Sequence, residues 1–542
     1  MKLKLLFAFL FIGYFLSAQV YAWQWAQSGA GSNSDTGNSI ATDASGNVFV
    51  TGYFYSPTIT FGTYTLTNTG NYDTYLVKYN SAGVVQWVEG ANGAFDDIAN
   101  SITTDPSNIY ITGNFTSPTL VFGTYTLTNT GGSDIFIVKY DTNGNVIWAR
   151  SEGGSNSEES NGITFDPSGN ILITGWFQSG TLTIGTSMLT NTGGGDVFVA
   201  KYDLAGNPQW AVSQDGSSLD IGYGICMDNL GNVLVCGSFK SPVLTVGTFT
   251  SSNSNPGQAD MFITKYNSSG TAVWLTTAGG ALEEIAYGIT CDINNNPIVT
   301  GSYKSSTITF GSATLTNSSV GSCEVFIAKY NSSGLAQWAK SVGGSTDDIG
   351  FSIDNEPSGN VFVTGHMHSP SMTVGTYTLN NTGSGVGDIF ILRYDPSGVL
   401  LWADSEGSTA DDGGASLTCD VAGTVYLTGF FVGPTINFGS STLNSAGSSD
   451  VFVAKLNFNV NVPETEKEIG LNIFPNPNNG TFKVLSKNEA IQKIEILTVN
   501  GELIFETFDI ISPINVSDKP KGIYFVRIFF NFGSASQKIV LQ

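Results

Sequence analysis

The stretch Asp43-Ala44-Ser45-Gly46-Asn47-Val48-Phe49-Val50-Thr51-Gly52 decides the fold of this chain, because close copies of it recur along the sequence. Each copy ends in Thr-Gly or Cys-Gly, 61 to 64 residues after the preceding one. The seven final glycines are Gly52, Gly113, Gly175, Gly237, Gly301, Gly365 and Gly429. A repeat of this length, rich in strand-forming residues, predicts one small antiparallel sheet that is stacked many times.

Each copy contains the pattern of four strands, here labelled A to D, and one hairpin. In the second copy we predict strand A at Ser101–Asp105, strand B at Asn108–Gly113, a hairpin at Val121–Thr128, strand C at Asp134–Tyr140 and strand D at Val146–Ala149. Tight turns with Asp and Gly separate A from B and C from D. Four strands in this order predict one blade of a β-propeller, with strand A innermost.

A tryptophan marks strand D in every copy. The seven are Trp25, Trp87, Trp148, Trp210, Trp274, Trp338 and Trp402. The first precedes any complete copy, and the last strand C, Asp450–Leu456, has no Trp strand after it. The N-terminal segment Trp23–Gln27 therefore supplies strand D of the seventh blade and removes two open sheet edges. We predict an all-β chain with a seven-bladed β-propeller at 23–457.

These repeats resemble a family of seven-bladed propeller repeats found in bacterial secreted proteins. The family signature, Asp-x-x-Gly-Asn-(Val/Ile)-(Phe/Tyr)-Val-Thr-Gly, is matched by Asp43–Gly52 and, with Glu in place of Asp, by Glu356–Gly365. The resemblance implies a propeller that works outside the cell.

The first 22 residues have the features of a secretory signal. Lys2 and Lys4 precede the apolar run Leu5–Leu16, which is too short to span a bilayer as a stable anchor. We predict a signal peptide at 1–22, with cleavage after Ala18 as an alternative. No other stretch is long enough for a transmembrane segment.

The C-terminal segment has a different composition and no repeat. It follows a predicted linker at 458–469 and contains the motifs Leu471–Gly480, Ile494–Gly501, Lys521–Val526 and Gln537–Val540. Residues 470–542 thereby resemble the type A sorting domain of the type IX secretion system. The resemblance implies the type IX secretion machinery as a partner, a Bacteroidetes-type route across the outer membrane, and an extracellular or surface location. The alternating apolar pattern itself predicts a small Ig-like β-sandwich.

The charge of the chain excludes one class of partner. Residues 23–462 hold 35 acidic and 11 basic side chains. A domain this acidic is repelled by phosphate, so we expect no nucleic acid partner. Five cysteines without metal-ligand spacing predict small buried side chains, and Cys226 and Cys236 could also pair across a tight turn.

A carboxylate stands five residues before the strand-A Ile or Leu of every copy. The set is Asp35, Asp97, Glu158, Asp220, Glu284, Asp348 and Asp412. One interpretation has these side chains accept backbone N–H bonds in the links between strands D and A. The other places them in a ring at the channel mouth as a cation site, with Ca²⁺ as the cofactor. A basic residue in each strand C, Lys78 in the first copy, is expected to neutralise them.

The end of strand B varies between copies, whereas the residues around it do not. Period 2 places the two variable residues of each copy on one side of the strand. The candidate ligand-binding residues are Tyr53, Tyr55, Trp176, Gln178, Lys240, Lys304, His366 and His368. The last two are the only histidines, and a metal site there lacks an assignable third ligand.

No catalytic set stands out in this sequence, so we expect a binding protein more than an enzyme. The leading hypothesis is a propeller that binds a glycan or a protein on the face that carries the B–C hairpins. The alternatives are an extracellular glycan-degrading enzyme that acts through acids on that face, and a passive surface or matrix scaffold.

Overall fold

Seven antiparallel blades, each with four strands in the order A-B-C-D, and seven small hairpins make up the compact unit Ala22–Asn457; the sheet of the seventh blade continues into the hairpin of the first, which gives it six strands. The computed structural model describes residues 20–383, 385–459, 472–486, 491–498, 503–508, 513–530 and 533–542, and no helix occurs in these ranges. Residues 1–19 of the predicted signal peptide and nearly all of the predicted linker lie outside them. The all-β, seven-bladed propeller is confirmed.

The inner two strands of each blade are a partly buried strand A and an almost completely buried strand B. Strands A are Asp35–Thr42, Asp97–Thr104, Glu158–Phe165, Asp220–Met227, Glu284–Cys291, Asp348–Asn355 and Asp412–Cys419. Strands B are Val48–Phe54, Asn108–Phe115, Ile171–Phe177, Val233–Phe239, Pro297–Tyr303, Val361–Met367 and Val425–Phe431. Strands A begin four residues earlier than predicted in the second copy, so the carboxylates open the strand and do not lie in the link.

The outer two strands follow the hairpin. Strands C are Asp73–Tyr79, Asp134–Asp141, Asp196–Tyr202, Asp260–Tyr266, Glu324–Tyr330, Asp388–Tyr394 and Asp450–Asn459. Strands D are Val85–Ala91, Val146–Glu152, Pro208–Gln214, Ala272–Ala278, Ala336–Val342, Leu400–Glu406 and, for the seventh blade, Val20–Gly31.

Each B–C hairpin consists of two strands of four residues. Its first strands are Thr58–Phe61, Thr119–Phe122, Thr181–Ile184, Val243–Val246, Thr307–Phe310, Ser371–Val374 and Thr435–Phe438. Its second strands are Tyr64–Thr67, Tyr125–Thr128, Ser187–Thr190, Phe249–Ser252, Ala313–Thr316, Tyr377–Asn380 and Ser441–Asn444.

The N-terminal strand closes the ring. Val20–Gly31 lies beside strand C of the seventh blade, and its last three residues pair with Ile59–Phe61 in the hairpin of the first blade. One strand therefore joins the last blade to the first, as the position of Trp25 predicts. Both edges that an open stack would expose are hydrogen-bonded.

The Thr-Gly marker is explained by close packing on both sides of strand B. The Thr51 hydroxyl donates to the carbonyl of Tyr75 in strand C at 2.6 Å. A Cβ on Gly52 would lie 2.0 Å from the carbonyl oxygen of Thr36 in strand A. The other six marker glycines have the same clash at 1.9 to 2.0 Å. Glycine is required at this position because the bulged backbone of strand A lies too close to strand B for a Cβ atom.

The strand-D tryptophans dock neighbouring blades. Trp25 donates its Nε1 proton to the carbonyl of Ser81, in the C–D turn of the next blade, at 3.2 Å. A Cβ on Gly83 in that turn would lie 2.7 Å from the indole ring. The same bond to the next blade is made by Trp87, Trp148, Trp210, Trp274 and Trp338. Each indole thus covers one turn glycine and satisfies one turn carbonyl.

A second, smaller β unit lies within residues 472–542. One sheet contains Asn472–Phe474, Thr481–Leu485 and Ile514–Asn515, and the other contains Leu503–Thr507, Ile491–Thr498, Gly522–Phe530 and Gly533–Leu541. Both sheets contribute to one hydrophobic core, in which Phe482, Ile496 and Val526 are fully buried. This is the predicted small β-sandwich.

Candidate functional site

The seven strand-A carboxylates are buried hydrogen-bond acceptors. Asp35 has no exposed surface; its Oδ1 accepts the N–H groups of Tyr55 and Ser56 at 3.1 Å, and its Oδ2 accepts the Ser56 hydroxyl at 2.7 Å. Asp97, Asp220 and Asp348 bind Ser117, Ser241 and Ser369 in the same way. Each carboxylate therefore fixes the chain that leaves strand B against the start of strand A.

The cation-site interpretation lacks a cluster of ligands. Within the described ranges, no three His, Cys, Asp or Glu side chains form a group that could hold a metal ion. Because the seven carboxylates are separated by one blade each and already accept hydrogen bonds, their geometry is that of the backbone-binding interpretation. Calcium at these positions stays a prediction.

Buried acids come in pairs across the junctions between blades. The strand-C acid of one blade neighbours the strand-A acid of the next, for example Asp73 beside Asp97. Burial raises the pKa of Asp97 to about 7, and the nearby Asp73 adds to the rise. For the same two reasons the pKa of Glu284, beside Asp260, rises to about 7. Burial likewise raises the pKa values of Asp35, Asp196, Asp220 and Asp388 to about 6.

The strand-C cations do not neutralise these acids, which corrects the sequence prediction. Lys265 forms a buried ion pair with Asp228 at 2.8 Å, and Lys201 and Lys329 pair with Asp166 and Asp292. These partners belong to the A–B turns, at the opposite end of the blade. Each cation lies five positions after the acid that starts its strand C, a distance of roughly 16 Å.

The variable residues at the end of strand B fall into two layers. The first of each pair supports the inner wall: Asn114 accepts a hydrogen bond from Asn100 at 3.1 Å, and Ser238 bonds to Tyr223. The second of each pair is more open, and Tyr55 is 45% exposed. Sequence reasoning assigned both layers to one surface. In the structure the second layer is the more exposed one, and the first layer is buried at Asn114, Ser238 and Ser302 but partly exposed at Tyr53, Trp176, His366 and Phe430.

Around the rim, aromatic and charged side chains form three separate groups. In the first blade, Tyr53 and Tyr55 pack against Tyr72 with ring centroids 5.0 and 5.2 Å apart. In the third, Trp176 donates its Nε1 proton to Glu159 at 3.2 Å. The third group lies in the fourth to sixth blades. Gln178, also a predicted ligand residue, is exposed beside the Trp176 group.

The third group combines lysine–glutamate contacts in the fourth and fifth blades with two histidines in the sixth. The Lys304 ammonium lies 2.8 Å from Glu283, and Lys240 lies 3.8 Å from the same carboxylate. Burial, together with the neighbouring His368, lowers the pKa of His366 to about 4, so this imidazole is uncharged at neutral pH. The ring centroids of His366 and His368 are 6.0 Å apart.

A ring of bulged residues lines the channel below this rim. In strand A of the first blade, Gly37 pairs with Gly52 and Ser39 pairs with Thr51, so Asn38 between them has no partner across the sheet. All seven strands A carry this bulge at the same position. The bulged residues are Asn38, Asn100, Asn161, Tyr223, Tyr287, Phe351 and Ala415. A bulge re-aims one side chain, here seven times.

The bulged ring encloses a cavity with two unlike halves. Three consecutive blades supply amides, the next three supply aromatic rings, and the last supplies a methyl group. The cavity has a volume of about 410 Å³, and all seven of these residues line it. Every residue that lines it is uncharged. The lining also includes Ser39, Ser101, Ser352 and Ser416, so the cavity presents polar groups beside its aromatic rings.

Sequence reasoning missed this ring, although the sequence carries a signal for it. The third residue after each strand-A carboxylate changes as Asn, Asn, Asn, Tyr, Tyr, Phe, Ala inside an otherwise repeated frame. Regular alternation places this residue in line with its neighbours. Only the bulge, which follows from the close approach of the marker glycine, turns it into the channel.

Two family models match parts of this chain. Residues 24–53 match a beta-propeller repeat, and residues 472–542 match a secretion system C-terminal sorting domain. The chain carries a propeller repeat and a sorting domain. Both resemblances seen in the sequence are thereby confirmed, and the sorting domain indicates type IX secretion to the cell surface or the extracellular space.

Two curated proteins are similar to this chain in sequence. The chain is 25% identical over 539 residues to an uncharacterized WD repeat-containing protein, L264, of Acanthamoeba polyphaga mimivirus, with 80% of this chain and 38% of that protein covered. It is 24% identical over 341 residues to the regulatory protein FlaEY of Caulobacter vibrioides, covering 58% and 34%. The chain thus spans little more than a third of either relative.

Among solved structures, the WD40 β-propeller domain of Doa1 is similar, with a TM-score of 0.44 and 8% identity over 82% of this chain and 98% of that one. A search of the described residues finds no helix with the length and apolar character needed to cross a membrane.

Proposed function

We propose that this protein is an extracellular or surface-attached propeller that binds a glycan on the face that carries the channel rim. The proposal is supported by one observation above all. A frame repeated seven times carries different aromatic, amide and charged side chains at the rim and in the channel. A symmetric scaffold needs no differences between its blades, whereas a binding surface for a ligand without sevenfold symmetry requires them.

The chemistry of the rim favours a sugar chain. The Tyr53, Tyr55 and Tyr72 rings and the Trp176 indole offer apolar faces with a polar edge, a combination suited to a ligand that is itself amphipathic. The propeller's excess of acidic side chains disfavours polyanionic glycans. We therefore expect a neutral or weakly basic glycan. A protein ligand is the alternative outcome.

The proposed route of export has two stages. A signal peptide at 1–22 would direct the chain across the inner membrane, and residues 472–542 would then engage the type IX secretion machinery of a Bacteroidetes-type cell. Whether the sorting domain is removed decides between release and attachment.

The test is a glycan array probed with the full chain, with calcium and again with a chelator. We expect selective binding that is weakened by Tyr55→Ala and by Trp176→Ala. The control is Leu230→Ala, which changes an exposed residue in an A–B turn on the opposite face. Silence from folded protein under both conditions refutes glycan binding and leaves a protein ligand or a passive scaffold. Loss of binding on chelation alone would support the calcium prediction.

One observation favours an enzyme as a second candidate. Burial raises the pKa of the Glu159 carboxyl, which accepts the Trp176 indole proton at the rim. A raised carboxyl pKa is one property that a general acid in glycan cleavage requires. Release of reducing ends from a bound glycan, abolished by Glu159→Gln but not by Glu283→Gln, would establish this activity. Intact glycan after prolonged incubation would exclude it for that ligand.

A further inference from the structure

We propose that the ring of bulged residues holds one uncharged sugar at the end of the glycan chain. This inference rests on the proposed function. It adds where the end of the glycan lies and which residues contact it. The rim would bind the rest of the chain, and the cavity would select its terminal residue.

The amide half of the ring is oriented by contacts between blades. The Asn38 and Asn161 side chains donate from Nδ2 to the carbonyls of Ala99 and Gly222, in the next strand A, at 2.9 and 3.0 Å. Asn100 donates to the Ser160 carbonyl at 3.1 Å. Among the described residues, no group donates to the three amide oxygens. They are therefore three acceptors placed for hydroxyl donors.

The aromatic half is a continuous apolar arc. The ring centroids of Tyr223, Tyr287 and Phe351 follow one another at 5.1 Å, tilted by 56° and 57°. His366 continues the arc at 4.9 Å from Phe351. Hydrogen bonds to Ser238 and Ser302 hold the two tyrosine hydroxyls, which fixes their rings. A sugar presents an apolar C–H face and hydroxyl groups at its edge, so one ring between the two halves would satisfy both.

The size and charge of the cavity limit the ligand further. A volume of about 410 Å³ lies near the lower end of the range for small-ligand sites, roughly 300 to 1,000 Å³. This volume suits the terminal sugar of a glycan better than a longer internal stretch of the glycan chain. Because the cavity wall holds no charged residue and His366 is uncharged, a carboxylated or amino sugar would lose its hydration without a partner. The predicted terminal residue is neutral.

The experiment is calorimetric titration of the full chain with the best array glycan and with its terminal monosaccharide. We expect Asn100→Leu and Tyr287→Ala each to weaken binding of both ligands by about tenfold, the effect of one lost contact. Tyr287→Phe, which keeps the ring, should bind the monosaccharide nearly as well. Trp176→Ala should weaken only the longer glycan.

A variant that fills the cavity separates loss of binding from loss of folding. Ala415→Phe adds bulk to the one small position of the ring and should abolish monosaccharide binding while the melting temperature stays unchanged. If Asn100→Leu and Tyr287→Ala bind the glycan as tightly as the wild type does, while Trp176→Ala binds it more weakly, this inference is wrong and the proposed function stands. If no glycan binds the wild type, both are wrong.

A second inference concerns two cysteines that belong to different blades. Cys226 in strand A of the fourth blade and Cys291 in strand A of the fifth have their Sγ atoms 3.5 Å apart. The suggested pairing of Cys226 with Cys236 is wrong, because Cys226 faces Leu234 across the sheet and the Cys236 thiol contacts the Ala286 carbonyl. Disulfides persist outside the cell, where the sorting domain directs the chain.

We infer that Cys226 and Cys291 form a disulfide in the exported protein. The two thiols lose two protons and two electrons as the S–S bond forms. The disulfide of a thiol-exchange oxidant in the cell envelope accepts these protons and electrons and becomes two thiols. Thiol labelling of the secreted, unfolded protein without reductant should modify Cys236, Cys323 and Cys419 only. Labelling of all five cysteines would overturn the inference. Cys323→Ser is the control, because it should leave the Cys226–Cys291 disulfide intact. Cys226→Ser should make Cys291 available for labelling.

Discussion

The paired acids at the blade junctions predict that this protein becomes less stable as the pH rises from about 4 to about 7. The folded protein retains protons on Asp97 and Glu284 up to a pH of about 7. The unfolded chain releases them near pH 4. Because the folded state then holds more protons, the free energy of unfolding falls through this interval.

The magnitude follows from the shifts. A carboxyl whose pKa moves from 3.8 to about 6 loses roughly 3 kcal/mol of stability on full ionisation, at about 1.4 kcal/mol per pKa unit. Neighbouring acids at one junction titrate together, so we expect about 1 to 2 kcal/mol per junction. His366 opposes them, because its low pKa costs stability as the pH falls from 6.5 to about 4. Several junctions outweigh one histidine.

The assay is the melting temperature of the full chain, measured by scanning fluorimetry from pH 4.5 to pH 8 at constant ionic strength. We expect a fall of several degrees, and Asp97→Asn should reduce it, because this variant removes one titrating group without changing its size. Asp203→Asn is the matched control. Hydrogen bonds, chiefly from Asn207, hold the pKa of Asp203 below its usual value, so this change should leave the slope unaltered. A melting temperature that rises toward pH 8 would refute the reasoning.

Three further predictions concern closure, the buried ion pairs and export. Trp25→Ala and Trp210→Ala should each destabilise the propeller by about 2 to 4 kcal/mol, but only Trp25→Ala should expose the N-terminal strand to limited proteolysis; equal protease resistance would contradict ring closure by this strand. Lys265→Met should cost about 3 to 5 kcal/mol in denaturant unfolding, because it leaves Asp228 buried and unpaired, and an unchanged midpoint would refute this. Deletion of 472–542 should leave the protein inside the outer membrane in cell fractionation; normal secretion would contradict the role of the sorting domain.

The repeated frame could be predicted from the sequence because each of its features recurs seven times. Spacing located the blades, and the surplus Trp25 located the closing strand. The Asp-x-x-Gly-Asn turns were also readable: Asp43 accepts the N–H groups of Ser45 and Asn47, both at 2.9 Å, around Gly46 at φ 73°. Local chemistry determines such turns, and the same chemistry operates in every copy.

The site was less predictable because it depends on contacts between strands and between blades. Sequence alone placed Lys265 near the strand-A acids, whereas the length of strand C takes it to the Asp228 turn. It also assigned Ser238 and Lys240 to one surface, although the first lies behind Tyr223. The bulge that directs Tyr223 into the channel changes the register of strand A by one residue, and simple alternation cannot reveal it.

The most direct test of the central claim is a crystal structure of the full chain with the array's best oligosaccharide. We predict that the terminal sugar lies in the cavity, with hydroxyl groups near the Asn100 amide oxygen and its apolar face against Tyr287, and that the chain leaves across the rim beside Trp176. A glycan bound only on the outer strands or on the A–B turns, with the bulged ring empty, would contradict the account.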